Sequence, residues 1–352
     1  MLPCENNSLQ SDTLCAGKAE VRMIKSFAAP YSIWQKLKRR NGELWLQIKK
    51  YRLAYALIAP TFFAMLCIHF IPTALAMYMS LLKLNQFTLR QFLGAPFIGL
   101  GNYAFIFTSR HNPMVIGLTN AARNTIIYSI FVNAGTLGIG MVIALLLNRR
   151  FFGRGIARTL LLLPWVVPTY AVGLLWGMMW LRDRGIINTI LVDYLHLLPH
   201  KPFWLIGRNT IWAIIIPTIW RQLPFATVML LAGLQTVPQE LYDAAAIDGA
   251  SAWQRFRYIT IPFLRPVIAL MLLWGVIFTV FGYNIVIMMF GNGGGFPGEW
   301  GDLLMPAIQR QSFGYWWFGL GAAASTLMMF GMMFFVWAWY RVFRTSLLQE
   351  YM

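Results

Sequence analysis

Thr236-Val-Pro-Gln-Glu-Leu-Tyr-Asp-Ala-Ala-Ala-Ile-Asp-Gly-Ala-Ser-Ala-Trp-Gln-Arg-Phe-Arg-Tyr-Ile-Thr-Ile-Pro262 is a polar interruption between two apolar runs, and its reading decides the fold. Thr236 with Gln239 has the spacing of a capping box, and Pro238 suits the first turn of a helix. Gly249 closes that helix in a left-handed conformation. Ser251 with Gln254 then opens a second short helix, expected to end before Pro262. The segment therefore reads as two short helices set at an angle. Ala244, Ala245 and Ala246 give the first a smooth surface that another protein's groove can approach closely. A solvent-facing loop has little need of consecutive alanines beside Ile247 and Trp253, so the segment is a docking knob.

Composition says what surrounds the knob. Of 352 residues, 58% are hydrophobic and only 12% charged, with a mean hydropathy of +0.58. Soluble domains carry about 25% charged residues. Too little polar surface is available for a water-soluble globule, and a disordered chain would need low hydrophobicity. The chain is an integral membrane protein.

Stretches of about 20 apolar residues locate the spans. They run over 53–82, 124–148, 159–181, 209–234, 266–290 and 316–340. Prolines at 217 and 224 bracket Arg221 and Gln222 in the fourth, which is expected to be broken there. The runs lack the alternation of barrel strands, so the fold class is all-α with six transmembrane helices. The domains divide as 1–52, an N-terminal extension; 53–344, the membrane domain, with the docking loop at 235–262; and 345–352, a tail.

The net charge of +17 raises the possibility of nucleic acid, but the positions of the charges exclude it. Ten of the 29 Lys and Arg lie in the first 52 residues. Arg149, Arg150, Arg154 and Arg158 follow the second span, Arg255, Arg257 and Arg265 precede the fifth, and Arg341 and Arg344 follow the sixth. That makes nineteen on one side against eight on the other, with Arg123 and Arg221 completing the set. The positive-inside bias places both termini in the cytoplasm, where anionic membrane lipid meets the charges. The N-terminal stretch has no short apolar core followed by a small-residue cleavage site, so a cytoplasmic extension is expected, with Met23 an alternative start. Tyr31 to Tyr51 has helical periodicity and reads as an interfacial amphipathic helix, as two such helices divided at Gly42, or as a solvated basic tail.

Catalytic constellations are missing. Cys4, Cys15 and Cys67 form neither a disulfide framework nor a CxxC pair. There is no GxxxxGK[ST], and the glycines of 291–298 are followed by no Lys-Ser/Thr. His196 and His200 flank Leu-Leu-Pro without a glutamate between them, so no metal site is expected. The chain reads as non-catalytic and without a cofactor of its own. Polar residues within spans are costly in lipid and so become functional candidates. Arg221 and Gln222 qualify in the fourth span. Phe278, Thr279, Gly282 and Tyr283 fall within about a turn of each other in the fifth, with Asn284 adjoining. Aromatic faces beside neutral hydrogen-bonding groups suit a sugar.

The docking loop also resembles a known family. Asp243-Ala244-Ala245, then Gly249, then Ile259-x-Ile261-Pro262 is similar to the EAA loop of ABC-importer permeases, with three residues from the alanine pair to the glycine and nine more to Ile259. Glu240 through Asp248, Gly249 and Ala250 resembles the carbohydrate branch of maltose, trehalose and glycerol-phosphate type. Asp243 stands where the family usually has Glu, and Ile261 where it has Leu. Phe97-Ile-Gly-Leu-Gly-Asn-Tyr103, Leu163-Pro-Trp-Val-Val-Pro168 and Gly291 to Pro297 are similar to further family segments, in order.

The resemblance implies a type I ABC-importer permease fold in a prokaryotic plasma membrane, N-in and C-in. It implies a second homologous permease subunit, two cytoplasmic ATPase subunits that hold ATP-Mg, and an extracytoplasmic sugar-binding protein. Glu240, Asp243, Ala244, Ala245, Asp248, Gly249, Ile259 and Pro262 would couple to the ATPase. Thr218, Gln222 and Phe225, with Phe278, Thr279 and Gly282, would line the substrate pathway; Arg221, Tyr283 and Asn284 join them on their own chemistry. A permease for a non-sugar solute is one alternative. A proton-coupled secondary carrier is another, but all 12 Asp and Glu lie outside the spans.

Overall fold

In the computed structural model, residues 49–291 and 296–348 are described, and the chain forms two compact units, Met1–Ala74 and Leu75–Met352. Cys4, Cys15, the interfacial helix as far as residue 48, residues 292–295 of the glycine-rich loop and residues 349–352 of the tail lie outside the described residues. Among the described residues five helices are long and apolar enough to cross a membrane, or six if one bent pair counts as a single span. The sole extended pairing among them is the isolated bridge Leu82–Phe97.

The first span, α1 (Arg52–Met79), passes through a π turn at Leu66–Phe70, directly before Ile71 and Pro72. A proline inside a helix lacks an N–H and crowds the carbonyl four residues back. The extra residue of the π turn accommodates both. Beyond it lies the short helix α2 (Gly101–Thr108), and the Phe97–Tyr103 motif finds its structural reason there. Asn102 Nδ2 donates to the Ser80 and Leu82 carbonyls at 2.8 and 2.9 Å, and the Tyr103 hydroxyl meets Ser80 Oγ at 2.7 Å. The motif caps the chain as it leaves the first span.

The second span, α3 (Pro113–Asn148), begins eleven residues before the sequence reading put it. Asn112 caps it, its Oδ1 accepting from the Met114 N–H at 2.9 Å. Helix formation does not stop at Arg123; only the hydropathy does. The third span is not one helix. α4 (Arg154–Val166) and α5 (Thr169–Met179) meet at 92°, because Pro168 forces Val167 into an extended conformation (ψ 127°).

The fourth span, α6 (Thr210–Gln235), runs unbroken through Pro217 and Pro224, correcting the expected interruption. Pro217 leaves the Ala213 carbonyl without its helical donor, and the Trp180 indole N–H supplies one at 3.1 Å. Small residues bring α3 and α6 close together. A Cβ on Gly135 would sit 2.5 Å from Ile219 Cδ1, and one on Gly140 would touch Thr227. The Tyr128 hydroxyl also donates to Thr218 Oγ1 at 3.0 Å across the pair. Interhelical bonds of this type contribute about 0.6 kcal/mol each in a membrane, so they orient the helices more than they hold them.

After the docking helix α7 (Gln239–Ile247), the fifth span starts much earlier than the hydropathy suggests. α8 (Ala252–Val280) is continuous through Pro262, with a π turn at Phe256–Thr260 placed as in α1. The second short helix of the loop is therefore the first turn of the fifth span. That span also stops sooner. The backbone breaks at Phe281–Tyr283, and the chain resumes as α9 (Asn284–Met289). α9 packs on α5, where a Cβ on Gly173 would fall 2.6 Å from the Ile285 carbonyl and one on Gly177 3.0 Å from that of Met289. α10 (Leu304–Gln309) and the last span, α11 (Phe318–Leu348), complete the chain. α11 opens at Phe318 rather than Trp316, which has a φ of +60°.

Candidate functional site

The docking knob is built largely as its sequence suggests. Gly249 has a φ of +80°. The Ala250 N–H donates to the Ala245 carbonyl at 2.9 Å and the Gly249 N–H to that of Ala246 at 3.1 Å, a Schellman closure. Ser251 and Gln254 exchange both bonds of a capping box. The box expected at Thr236 does not form, because Thr236 Oγ1 donates back to the Gly233 carbonyl and helps end α6, while Pro238 occupies the cap position.

Tyr242 reaches Thr260 at 2.9 Å and fixes α7 against the root of α8. Outward, Ile247 is 88% and Trp253 65% exposed, with Ala244, Ala246, Glu240, Asp243 and Asp248 exposed beside them. None of the three acids has an ion-pair partner among the described residues. Gln239 donates to Asp243 at 3.1 Å and props its carboxylate outward. Ile259 and Pro262 lie in the turns of α8 that carry the knob, and not on its tip.

Within the membrane region, α3, α4, α6 and α8 enclose a cavity of about 290 Å³. Trp165, Phe225, Trp274 and Phe278 give it aromatic walls, and Trp165 stacks on Phe225 with centroids 5.9 Å apart. Asn133, Thr136, Arg221 and Gln222 bring polar groups to it. Thr136 Oγ1, Arg221 Nε and Gln222 Nε2 are buried with no hydrogen-bond partner. The Arg221 guanidinium carbon lies 6.0 Å from the Phe278 ring centroid. Gly275 lets α8 approach closely, since a Cβ there would sit 1.8 Å from Asn133 Oδ1.

The sequence-selected residues divide. Arg221, Gln222, Phe225 and Phe278 line this cavity. Thr218 and Thr279 do not: both are fully buried, Thr218 bonded to Tyr128 and Thr279 to Ser129 at 2.8 Å, so they join helices. Gly282, Tyr283 and Asn284 line a second cavity of about 250 Å³, together with Tyr128, Thr169, Trp274 and Phe278. Asn133, Thr136, Trp165 and Trp274 went unselected. Asn133 and Thr136, polar and three residues apart in an apolar run, carried a signal; the tryptophans look like packing until α4 and α8 converge. A larger groove, about 970 Å³, lies among α3, α8 and α11, but its walls are mostly aliphatic and offer a polar solute few partners.

Asp302, which lies between α9 and α10 and is 2% exposed, is paired with Arg310, just past the end of α10. Burial raises the Asp302 carboxyl to about 6, against the opposing pull of Arg310 and a bond from the Leu303 N–H. A folded-state value above the unfolded 3.8 means the folded protein binds this proton more tightly. The stabilising contribution is complete below the unfolded value and declines as pH rises through 6. In detergent, the Tm difference between the wild type and Asp302→Asn is expected to shift against the wild type from pH 4.5 to pH 7. A pH-independent difference would show that the ionised carboxylate carries no burial penalty.

A polar, aromatic-walled cavity among helices long and apolar enough to cross a membrane, with the short helix α7 protruding between the fourth and fifth spans, suits a membrane permease. Residues 136–348 match the family described as binding-protein-dependent transport system inner membrane component. The chain is 32% identical to the trehalose/maltose transport system permease protein MalF of Thermococcus litoralis, over 80% of this chain and 90% of that protein. It is also 32% identical to the sulfoquinovosyl glycerol transport system permease protein SmoG of Agrobacterium fabrum, over 86% and 94%. A crystal structure of a bacterial ABC transporter involved in import of the acidic polysaccharide alginate shares the fold, with a TM-score of 0.71 at 22% identity, covering 86% of this chain and 99% of that one. The chain belongs to the binding-protein-dependent transport family and is an inner-membrane permease component of ABC-importer type.

Proposed function

We propose that this chain is one of two membrane halves of an ATP-driven carbohydrate importer. An external sugar-binding protein delivers cargo to the outer face. Two cytoplasmic ATPase subunits bind ATP-Mg and move α7, and a second homologous permease completes the pathway. This chain holds no nucleotide and performs no chemistry. The cavity at Arg221 carries the reading. Four aromatic rings offer the flat apolar faces of a pyranose a stacking surface, while the unpartnered Thr136, Arg221 and Gln222 groups are free to bond its hydroxyls. The two relatives named above are permeases for saccharides or a saccharide glycoside, which agrees with that chemistry.

Glu240, Asp243 and Asp248 rim a knob whose apolar tip is Ile247 and Trp253, which suits a partner groove with a cationic edge. The reading is tested with the reconstituted complex and radiolabelled trehalose or maltose. Uptake should require hydrolysis-competent ATPase subunits; import driven by a proton gradient alone would overturn it. Phe225→Ala and Gln222→Ala are expected to reduce sugar uptake about tenfold or more each, since each removes a contact worth about 1–3 kcal/mol. Binding-protein-independent ATP hydrolysis should persist in both. Unchanged uptake in the pair would remove the cavity from the cargo's route.

A further inference from the structure

The two membrane cavities share Trp274 and Phe278 as lining residues and nothing else. Three elements agree on their order across the membrane. On α3, which runs inward, Tyr128 of the smaller cavity precedes Asn133 and Thr136 of the larger. On α8, which runs outward, Phe281 and Gly282 lie beyond Met271 and Gly275. Where the chain passes outward from α4 to α5, Thr169 follows Trp165. The smaller cavity is therefore the outer one.

Its walls are not simply packing. Thr169, Tyr283 and Asn284 bring three polar side chains to it, and none makes a side-chain hydrogen bond among the described residues. The break at Phe281–Tyr283 also ends α8 there: the Ile277 and Thr279 carbonyls accept from the Phe281 and Gly282 N–H groups, while those of Phe278 and Val280 have no backbone donor among the described residues and can accept from a ligand. Tyr128, Phe281 and the two shared residues supply apolar ring faces.

We propose that the outer cavity is a separate station for the transported solute, a polyhydroxylated molecule, and that Trp274 and Phe278 are the partition it must displace to reach the inner cavity. The proposal rests on reading the inner cavity as the cargo site. Arg221 has a distinct part in it. Its guanidinium faces the Phe278 ring from the inner side and holds the ring across the opening, the cation stabilised by the aromatic face. That makes Arg221 a positioning residue for the partition. It also gives a reason for a cation at this depth, where no carboxylate among the described residues is paired with it.

Thiol accessibility tests this without knowledge of the cargo, so its failure is distinguishable from failure of the sugar reading. In the assembled complex with Cys4, Cys15 and Cys67 replaced by Ser, Asn284→Cys reports on the outer station and Gln222→Cys on the inner one. A membrane-impermeant methanethiosulfonate is applied from outside, without nucleotide. Asn284→Cys should react and Gln222→Cys should be protected. Adding Phe278→Ala or Trp274→Ala should speed modification of Gln222→Cys about tenfold or more, because the open path ceases to be a minor state. Arg221→Gln should speed it to a smaller extent, while Trp165→Ala, on the inner cavity alone, should leave it unchanged. Gel filtration of each labelled complex confirms assembly, and the two partition variants stand in for one another should one fail to assemble. Equal reactivity of Asn284→Cys and Gln222→Cys in the parent, or continued protection of Gln222→Cys in whichever partition variant assembles, overturns the proposal.

Discussion

Gly249→Pro is expected to reduce solute uptake to the background of empty vesicles while leaving the chain inserted and at normal abundance. Two local facts set the size of the effect. Gly249 has a φ of +80°, and the pyrrolidine ring fixes φ near −65°. Its N–H also donates to the Ala246 carbonyl at 3.1 Å, a bond proline cannot make. The helix end must therefore unwind, and Ile247 and Trp253 lose their common orientation. Ala245→Glu reaches the same end differently, by placing a charge on the half-buried face of α7. Neither position lies in the hydrocarbon, so insertion has no reason to fail. Co-purification of the ATPase and uptake should be lost together. A variant that transports normally with its ATPase bound would show that force does not enter through this loop.

Gly173→Leu is expected to eliminate monodisperse protein altogether, whereas Gly331→Leu is expected to be silent. In the first case the new Cβ would fall 2.6 Å from the Ile285 carbonyl and 2.8 Å from Met288 Cβ. A backbone atom cannot rotate away as a side chain can, so α5 and α9 must separate. Overpacking a well-filled site costs about 1–3 kcal/mol, and here the loss of the whole helix contact adds to it. At Gly331 nothing lies within 4 Å of the equivalent position. Size-exclusion profiles and Tm values of the two variants give the comparison. Equal stability would show that α5 and α9 are not in close contact.

Both positions bear on what a sequence discloses. The apolar spans and the form of the knob were legible because hydropathy and cap chemistry act locally. Gly249 and the Ser251–Gln254 box each need only a few neighbours to take their form. The tertiary features were not legible. The uninterrupted course of α6 past Pro217 is supported by Trp180, which bonds the Ala213 carbonyl from thirty-three residues away in the chain. The 92° turn at Pro168 lies inside an apolar run that hydropathy cannot subdivide. The split of Thr218 and Thr279 from Gln222 and Phe278 has the same origin. A threonine that bonds a neighbouring helix and one that faces a cavity carry the same side chain, and only the rotation of the helices separates them.

The continuity of α8 from Ala252 to Val280 has a mechanical consequence. At about 1.5 Å per residue, Phe278 stands on the order of 39 Å along the rod from its cytoplasmic foot. Tilting that rod by roughly 10° would sweep its far end through about 7 Å, more than the width of a water molecule and comparable to a sugar ring. Displacement at the inner leaflet would thus arrive deep in the bilayer amplified by leverage alone, with no chain of intermediate rearrangements to synchronise.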